Sequence, residues 1–249
     1  MTECKYPEED VFEVAYNASR AYQDSLQERN IMPSAHAIQA LQSLHEPMPQ
    51  DATDEVTVVK QLHKIGSQAT VATTGGRFFG FVVGGALPVA VASSWLASAW
   101  DQNAGSWLLS PIAAELESVA GKWLLELLDL PSDAAFGFVT GATMATFSSI
   151  AAARSSLLRR QGYDVKAKGL AGAPPLRVVM SEEIHPTNIA ALGYAGIGLD
   201  QIEKCPVDDQ GRIRSDKMPD LDANTLVILQ AGNINSGSFD DFRTVCTKA

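Results

Sequence analysis

Residues 134–185 alternate twice between short apolar runs and stretches of helical composition, and this alternation limits the chain to few architectures. Residues 134–139 (Ala-Ala-Phe-Gly-Phe-Val) are short and apolar enough for a buried strand. Thr140-Gly141-Ala142-Thr143 then reads as a tight turn. Residues 144–160 are Ala-rich and free of Gly and Pro, with Arg154, Arg159 and Arg160 toward the C-terminal end, so a helix is expected there. A further strand at 176–180 leads into Ser181-Glu-Glu-Ile-His185-Pro186. A strand, a small-residue turn and a helix N-terminus point unpaired N–H groups at an anion, and the helix dipole adds to the attraction. Many α/β turns of this kind bind nothing. This one lacks both the G-x-G-x-x-G spacing and the Gly-Lys-Ser/Thr ending of the familiar phosphate loops. His185 sharpens the signal, because open α/β sheets take their ligands at the carboxyl ends of strands. A hydrogen-bonded histidine with a purely local role is the other reading.

Five blocks in one order carry a resemblance. Thr140-Gly-Ala-Thr-Met-Ala-Thr146, running into Ala-Ala-Ala-Arg154, resembles the cofactor-phosphate segment of the group II pyridoxal-phosphate-dependent amino-acid decarboxylases, which include the aromatic amino-acid and glutamate decarboxylases. Ser181-Glu-Glu-Ile-His185 is similar to that family's strand ending in the histidine that stacks on the pyridine ring. Gly232-Asn-Ile-Asn-Ser-Gly-Ser-Phe-Asp240 resembles its segment beneath the cofactor. Arg77-Phe-Phe-Gly-Phe81 and Ser110-Pro-Ile-Ala-Ala-Glu-Leu-Glu117 match two further blocks. The resemblance implies a fold-type-I pyridoxal-phosphate transferase-like large domain and pyridoxal 5'-phosphate as cofactor. It implies carboxy-lyase activity on an L-amino acid in a cytoplasmic homodimer. It assigns Gly141, Ala142, Thr143, His185, Asn233 and Asn235 to the cofactor, His185 to catalysis, and Phe81 and Val82 to the substrate side chain. Another lyase or aldehyde-forming member of the family is an alternative, as is a non-catalytic relative acting in binding or assembly.

Composition narrows the partners. A formal net charge of −10 argues against nucleic acid and anionic membrane surfaces, which need clustered Lys and Arg. The three cysteines, Cys4, Cys205 and Cys246, are scattered, which fits a reducing compartment and offers no metal-ligand spacing. No metal site is expected. The first ten residues carry no apolar stretch of the secretory kind.

Ahead of residue 76 the pattern is helical. Val11, Val14, Ala15, Ala18, Tyr22 and Leu26 form one apolar stripe, residues 34–44 a second helical stretch, and Val56, Val59, Leu62 and Ile65 one face of a third. Residues 1–75 are therefore expected to be a helical segment, and residues 76–249 the first part of the cofactor-binding α/β domain. In the resembled family such a helical layer packs across a dimer axis; packing within one subunit would look the same. Residues 78–100 carry no charge, but Gly80, Gly84, Gly85 and Pro88 interrupt the first half, so a helix buried between subunits is favoured over a membrane span. Phe81 and Val82 could equally be ordinary core residues.

Downstream, residues 112–128 read as a helix in which Glu115 and Glu117 diverge from one another and serve solvation and the dipole. A helix near 188–193, a short strand at 201–207 and an apolar strand at 225–231 complete the alternation. The fold class that follows is α/β, a mainly parallel sheet with helices on both faces and an N-terminal helical segment ahead of it. Asp240-Asp241 reads as a helix start rather than a metal pair. In the resembled family the Schiff-base lysine and the aspartate facing the pyridine nitrogen lie beyond the Ser-Phe-Asp block, and Lys248 does not match the lysine's motif. The expectation is a chain inactive alone, working with a complementing C-terminal segment.

Overall fold

Val178, Val179 and Met180 are each 0% exposed in strand β1 (Arg177–Ser181), the centre of a three-stranded parallel sheet. The computed structural model describes residues 10–248. β1 pairs with β2 (Ile202–Cys205) on one side and β3 (Thr225–Ile228) on the other, Val178 lying opposite Ile202 and Leu226. Successive side chains of a strand leave opposite faces. Val178 and Met180 accordingly pack with Ile150, Ala191, Leu192 and Ala195, whereas Val179 packs with Cys205, Ile213 and Val245. Helices α6 (Ala142–Arg160) and α8 (Pro186–Tyr194) cover the first face, and α9 (Phe242–Lys248) supplies Val245 to the second. A strand covered on both faces reads as one continuous apolar run, which is why β1 is legible and why its register is fixed. Each such side chain contributes about 1.5–3 kcal/mol by leaving water.

The direction of α6 follows from its packing. Phe147 and Ile150, near its start, join the cluster that holds Met180 and Ile184, at and beyond the end of β1. Leu157 and Leu158, near its finish, pack with Leu176, which precedes β1. The helix therefore runs antiparallel to the strand, and its N-terminus lies at the carboxyl edge of the sheet. Arg159 and Arg160 end it where cations suit the dipole.

The chain divides into two compact units, the first ending at Asp101 and the second starting at Gln102, whereas the sequence pattern put the boundary after residue 75. In the first unit, Asp10 caps α1 (Val11–Ser25), Ser34 caps α2 (Ala35–Ala40) and Asp54 caps α3 (Glu55–Gly66), each side chain accepting a backbone N–H of the first turn. The Arg29 guanidinium sits 4.4 Å from the Tyr22 ring centroid and donates to the Ser67 carbonyl, while Tyr22 and Thr70 hydroxyls meet at 3.0 Å. These bonds staple the end of α1 to the chain after α3. The charge-free run supplies α4 (Pro88–Trp100), which starts on its proline and buries no residue within this chain. Among the described residues no helix is long and apolar enough to cross a membrane.

In the second unit, buried Ser110 caps α5 (Pro111–Leu127), and Glu115 and Glu117 are exposed on it. Residues 134–139 do not form the strand expected of them: Phe136 and Phe138 stay 43% and 54% exposed. No described strand lies beside this run to complete a ladder, and Phe136 packs on α5 instead. β3 ends three residues early, because the Gln230 amide turns to the Asp240 carboxylate rather than along the sheet. α6 starts two residues early, so Ala142 and Thr143 are its first turn and not part of a preceding loop. A four-residue helix, α7 (Val165–Lys168), links α6 toward β1.

Candidate functional site

Three segments lie at the carboxyl edge of the sheet, one opening α6 and two leaving strands β1 and β3. Gly141 precedes α6 with no side-chain cap, and the first helical bonds there are Met144 N–H and Ala145 N–H to the Gly141 carbonyl at 3.0 and 3.1 Å. The amides of Ala142 and Thr143 are thus among the donors that a helix start leaves without intrahelical partners. A Cβ built on Gly141 would meet nothing within 4 Å, so the space at the turn is open. Thr143 is half-buried beside it.

His185 follows β1 by four residues and caps α8 rather than ending the strand. Thr187 N–H donates to its Nδ1 at 3.3 Å, and the Thr187 hydroxyl lies 2.8 Å from the same nitrogen. With Nδ1 accepting, the neutral ring carries its proton on Nε2. The side chain is exposed, so one edge is held by the helix start and the faces remain available. The local reading of this histidine, as a hydrogen-bonded cap, and the functional one are compatible.

The third segment follows β3, parallel to β1 and beside it, so both chains leave the sheet at the same edge. Buried Asn233 accepts Asn235 N–H at 2.8 Å and Ser236 N–H at 3.3 Å on its side-chain oxygen, folding a turn closed by Asn233 N–H to the Ser238 carbonyl at 2.8 Å. Asn233 is spent on building the turn, while Asn235 is exposed on it. A Cβ on Gly211, whose φ is +76°, would lie 2.3 Å from Asn233 Nδ2 and 2.9 Å from Glu183 Oε2. Only glycine combines that backbone with so close an approach.

Asp240 closes the segment. Its carboxylate is buried and accepts Ile213 N–H at 2.7 Å and Gln230 N–H at 2.6 Å, tying the loop after β2 to the end of β3. Asp241, next to it, caps α9: hydrogen bonds from the Thr244 hydroxyl and amide hold its carboxyl below the usual carboxylate range. The adjacent acids therefore divide into a loop tie and a helix cap, and no described cluster of His, Cys, Asp and Glu could hold a metal. Burial pushes the Cys205 thiol up, with Glu182 next in effect. Lys248 donates to the Ser215 carbonyl at 2.6 Å from α9, on the face away from α6 and α8. The sequence reads Asp240 as a helix start, not as a tie between two loops, and a Gly after Asp-Asp-Gln reads only as a turn.

Phe81 and Val82 belong to the first unit. Both have left-handed backbone, φ 58° and 53°, and are 85% and 79% exposed. That conformation is costly for a bulky residue and more so for a β-branched one. They are surface residues of this chain, not core.

The sequence signature of the pyridoxal-dependent decarboxylase conserved domain matches residues 38–248. Tryptophan decarboxylase 1 of Oryza sativa subsp. japonica is 29% identical over 194 residues, covering 70% of this chain and 37% of that protein. Acidic amino acid decarboxylase GADL1 of Xenopus tropicalis is 25% identical over 199 residues, covering 76% of this chain and 38% of its own length. The chain thus spans under two-fifths of these curated relatives. The crystal structure of Oryza sativa TDC with PLP and tryptamine superposes over 100% of this chain and 54% of that one, with a TM-score of 0.79 at 22% identity. Sheet, helix order and matched domain agree with a fold-type-I architecture whose cofactor is pyridoxal phosphate. The chain belongs to the pyridoxal-dependent decarboxylase family.

Proposed function

We propose that this chain supplies the phosphate-binding and ring-stacking part of an amino-acid decarboxylase site. The observation that carries the reading is the convergence, at one edge of a parallel sheet, of the uncapped start of α6, His185 and the Asn233 turn. The residues fit pyridoxal phosphate. Ala142 and Thr143 amides and the Thr143 hydroxyl are donors for the phosphate, reinforced by the dipole of a nineteen-residue helix. That local field matters in a chain of net charge −10. When bound, the cofactor supplies an electron sink for the carbanion left as carbon dioxide departs.

The chain's own groups orient the reaction. His185, its Nδ1 engaged by Thr187, offers a ring face for stacking and an Nε2 proton for a nearby acceptor. Asn235 offers an amide to cofactor or substrate carboxylate, and Asn233 keeps that turn in shape. Phe81 and Val82 are the proposed substrate side-chain contacts, and their exposure suits a surface that is completed on assembly. The substrate class is an L-amino acid, the assembly a homodimer or a complementing C-terminal segment, and the compartment the cytoplasm. Scattered cysteines and a net acidic surface suit that compartment, without nucleic acid or membrane as partner. The exposed apolar face of α4, with Val89, Trp95, Leu96 and Trp100, supports assembly.

The lysine that would hold the cofactor covalently is assigned to the complementing segment. Purified alone, the 249-residue chain should release no more carbon dioxide from a panel of L-amino acids than free pyridoxal phosphate does. Adding the complementing segment as a separate chain should restore release. Cofactor-dependent decarboxylation by this chain by itself would overturn the assignment.

A further inference from the structure

We propose that Arg154 is a positioning residue that holds α8, and through it the His185 ring, in fixed register with the amides that open α6. This rests on the site described under the proposed function. Arg154 lies on α6, and its Nη1 donates to the carbonyl of Ala195, the residue that caps the C-terminal end of α8. His185 caps the other end of the same helix. At 1.5 Å per residue, α8 is a rod of roughly 13 Å with the histidine at one tip and the guanidinium bond at the other. Movement of α8 along its axis moves the ring by the same amount.

Apolar packing holds the two helices together and leaves part of their axial restraint to this polar bond. Among the residues at 0% exposure that α8 and its C-cap bring to the cluster with Ile150 of α6, Leu192 is the one large side chain, and Ala191 and Ala195 offer only methyl groups. Methyl groups form shallow ridges, and helix packing is locked in register by ridges seated in grooves. A directional bond from a charged donor to a helix-end carbonyl adds an axial stop to that packing, and it acts where a cation suits the dipole. The guanidinium is committed to this bond. Its Nε is covered and has no hydrogen-bond partner among the described residues, so the half-buried Arg154 keeps one donor uncompensated. An ordinary surface cap would keep its other donors in water.

Inorganic phosphate and pyridoxal 5'-phosphate separate the two halves of the site, because the first can engage only the α6 turn and the second also needs the His185 ring. In the 249-residue chain, Arg154→Gln should leave the phosphate dissociation constant within about twofold and weaken pyridoxal phosphate about tenfold, with Arg154→Lys in between. Hydrogen exchange should quicken in residues 186–195 of Arg154→Gln while α6 keeps its protection. Equal effects on both ligands, or none on either, would make Arg154 merely structural. Should Arg154→Gln fail to fold, Arg154→Lys must show the same selective loss in smaller measure. If the unmodified chain takes up neither ligand, the proposed site itself is wrong. The exchange measurement then decides the clamp alone: faster exchange confined to α8 upholds it, and unchanged exchange removes it.

Discussion

The ring of Phe136 lies directly on the backbone of Gly121: a Cβ at that glycine would come within 2.1 Å of the ring's Cε2 and 2.3 Å of Cζ. Gly121 sits inside α5, where alanine would ordinarily improve stability by about 1 kcal/mol. Here the added methyl must displace a whole ring edge, and overpacking of this kind costs about 1–3 kcal/mol. Gly121→Ala should therefore lower the urea midpoint of the second unit. Once Phe136→Ala has removed the ring, the same glycine change should raise it. A stabilising Gly121→Ala in the unmodified chain would show that Phe136 does not rest on α5.

Asp240 is the next to test. Asp240→Ala leaves the Ile213 and Gln230 amides without their acceptor inside the fold. Each orphaned donor costs about 1–3 kcal/mol, so this should be among the most destabilising single changes in the second unit. Asp240→Asn keeps one acceptor oxygen and should recover part of the loss. Exchange rates of the two amides report the effect at its source, and protection unchanged in Asp240→Ala would remove the carboxylate from its assigned role.

For the phosphate turn, Thr143→Ala removes the hydroxyl and leaves both amides in place. With the complementing segment present, cofactor affinity should fall by about 1.5–3 kcal/mol, the worth of a hydrogen bond to a charged group. Titration showing the same dissociation constant as the unmodified protein would take Thr143 out of the site.

Acid should destabilise the chain by a defined route. Arg212, Arg214, Thr225 and Thr244 supply bonds that hold Asp208, Asp216, Asp222 and Asp241 below the usual carboxylate range. For Asp208 the largest is the Arg212 amide. A carboxyl depressed in the folded state contributes stability above its unfolded pKa of about 3.9, lost as pH falls through the lower folded value. Urea midpoints should therefore change little with these groups between about pH 5 and 7 and decline below about pH 4. Cys205 has the opposite sign: its raised thiol favours the folded state below the unfolded value near 8.5 and loses that advantage above it. Asp241→Asn should flatten part of the acid decline; an unchanged slope would mean the α9 cap is absent in solution.

Legibility followed local energetics. β1 and α6 were evident because a strand buried on both faces must be apolar throughout and an alanine-rich run without breakers must be helical. Residues 134–139 carry the same apolar signal, yet a strand exists only if a neighbour completes its ladder, and neighbours are not written in the run itself. The shortened β3 has a similar cause: Asp240, ten residues away, captures the Gln230 amide that strand continuation would use. Of the residues proposed for the site, Thr143 and His185 are marked in the sequence by the motifs around them. The tie between Arg154 and Ala195 joins residues 41 apart in the chain, a pairing that neither spacing nor composition encodes. Nor does an asparagine pair in a turn announce that Asn233 faces inward and Asn235 outward.

The order of strands in the sheet, β2-β1-β3, also sets a schedule for synthesis. β1 is translated first but lies between two partners made later, so its backbone cannot be fully paired until Ile228 has left the ribosome, nor Val179 fully covered until Val245 has. During that interval the most deeply buried strand of the sheet is a nascent segment open along both edges, a condition that invites association between chains or recognition by chaperones. The residues that close the core are thus reached late, and the growing chain carries its central strand unpaired in waiting.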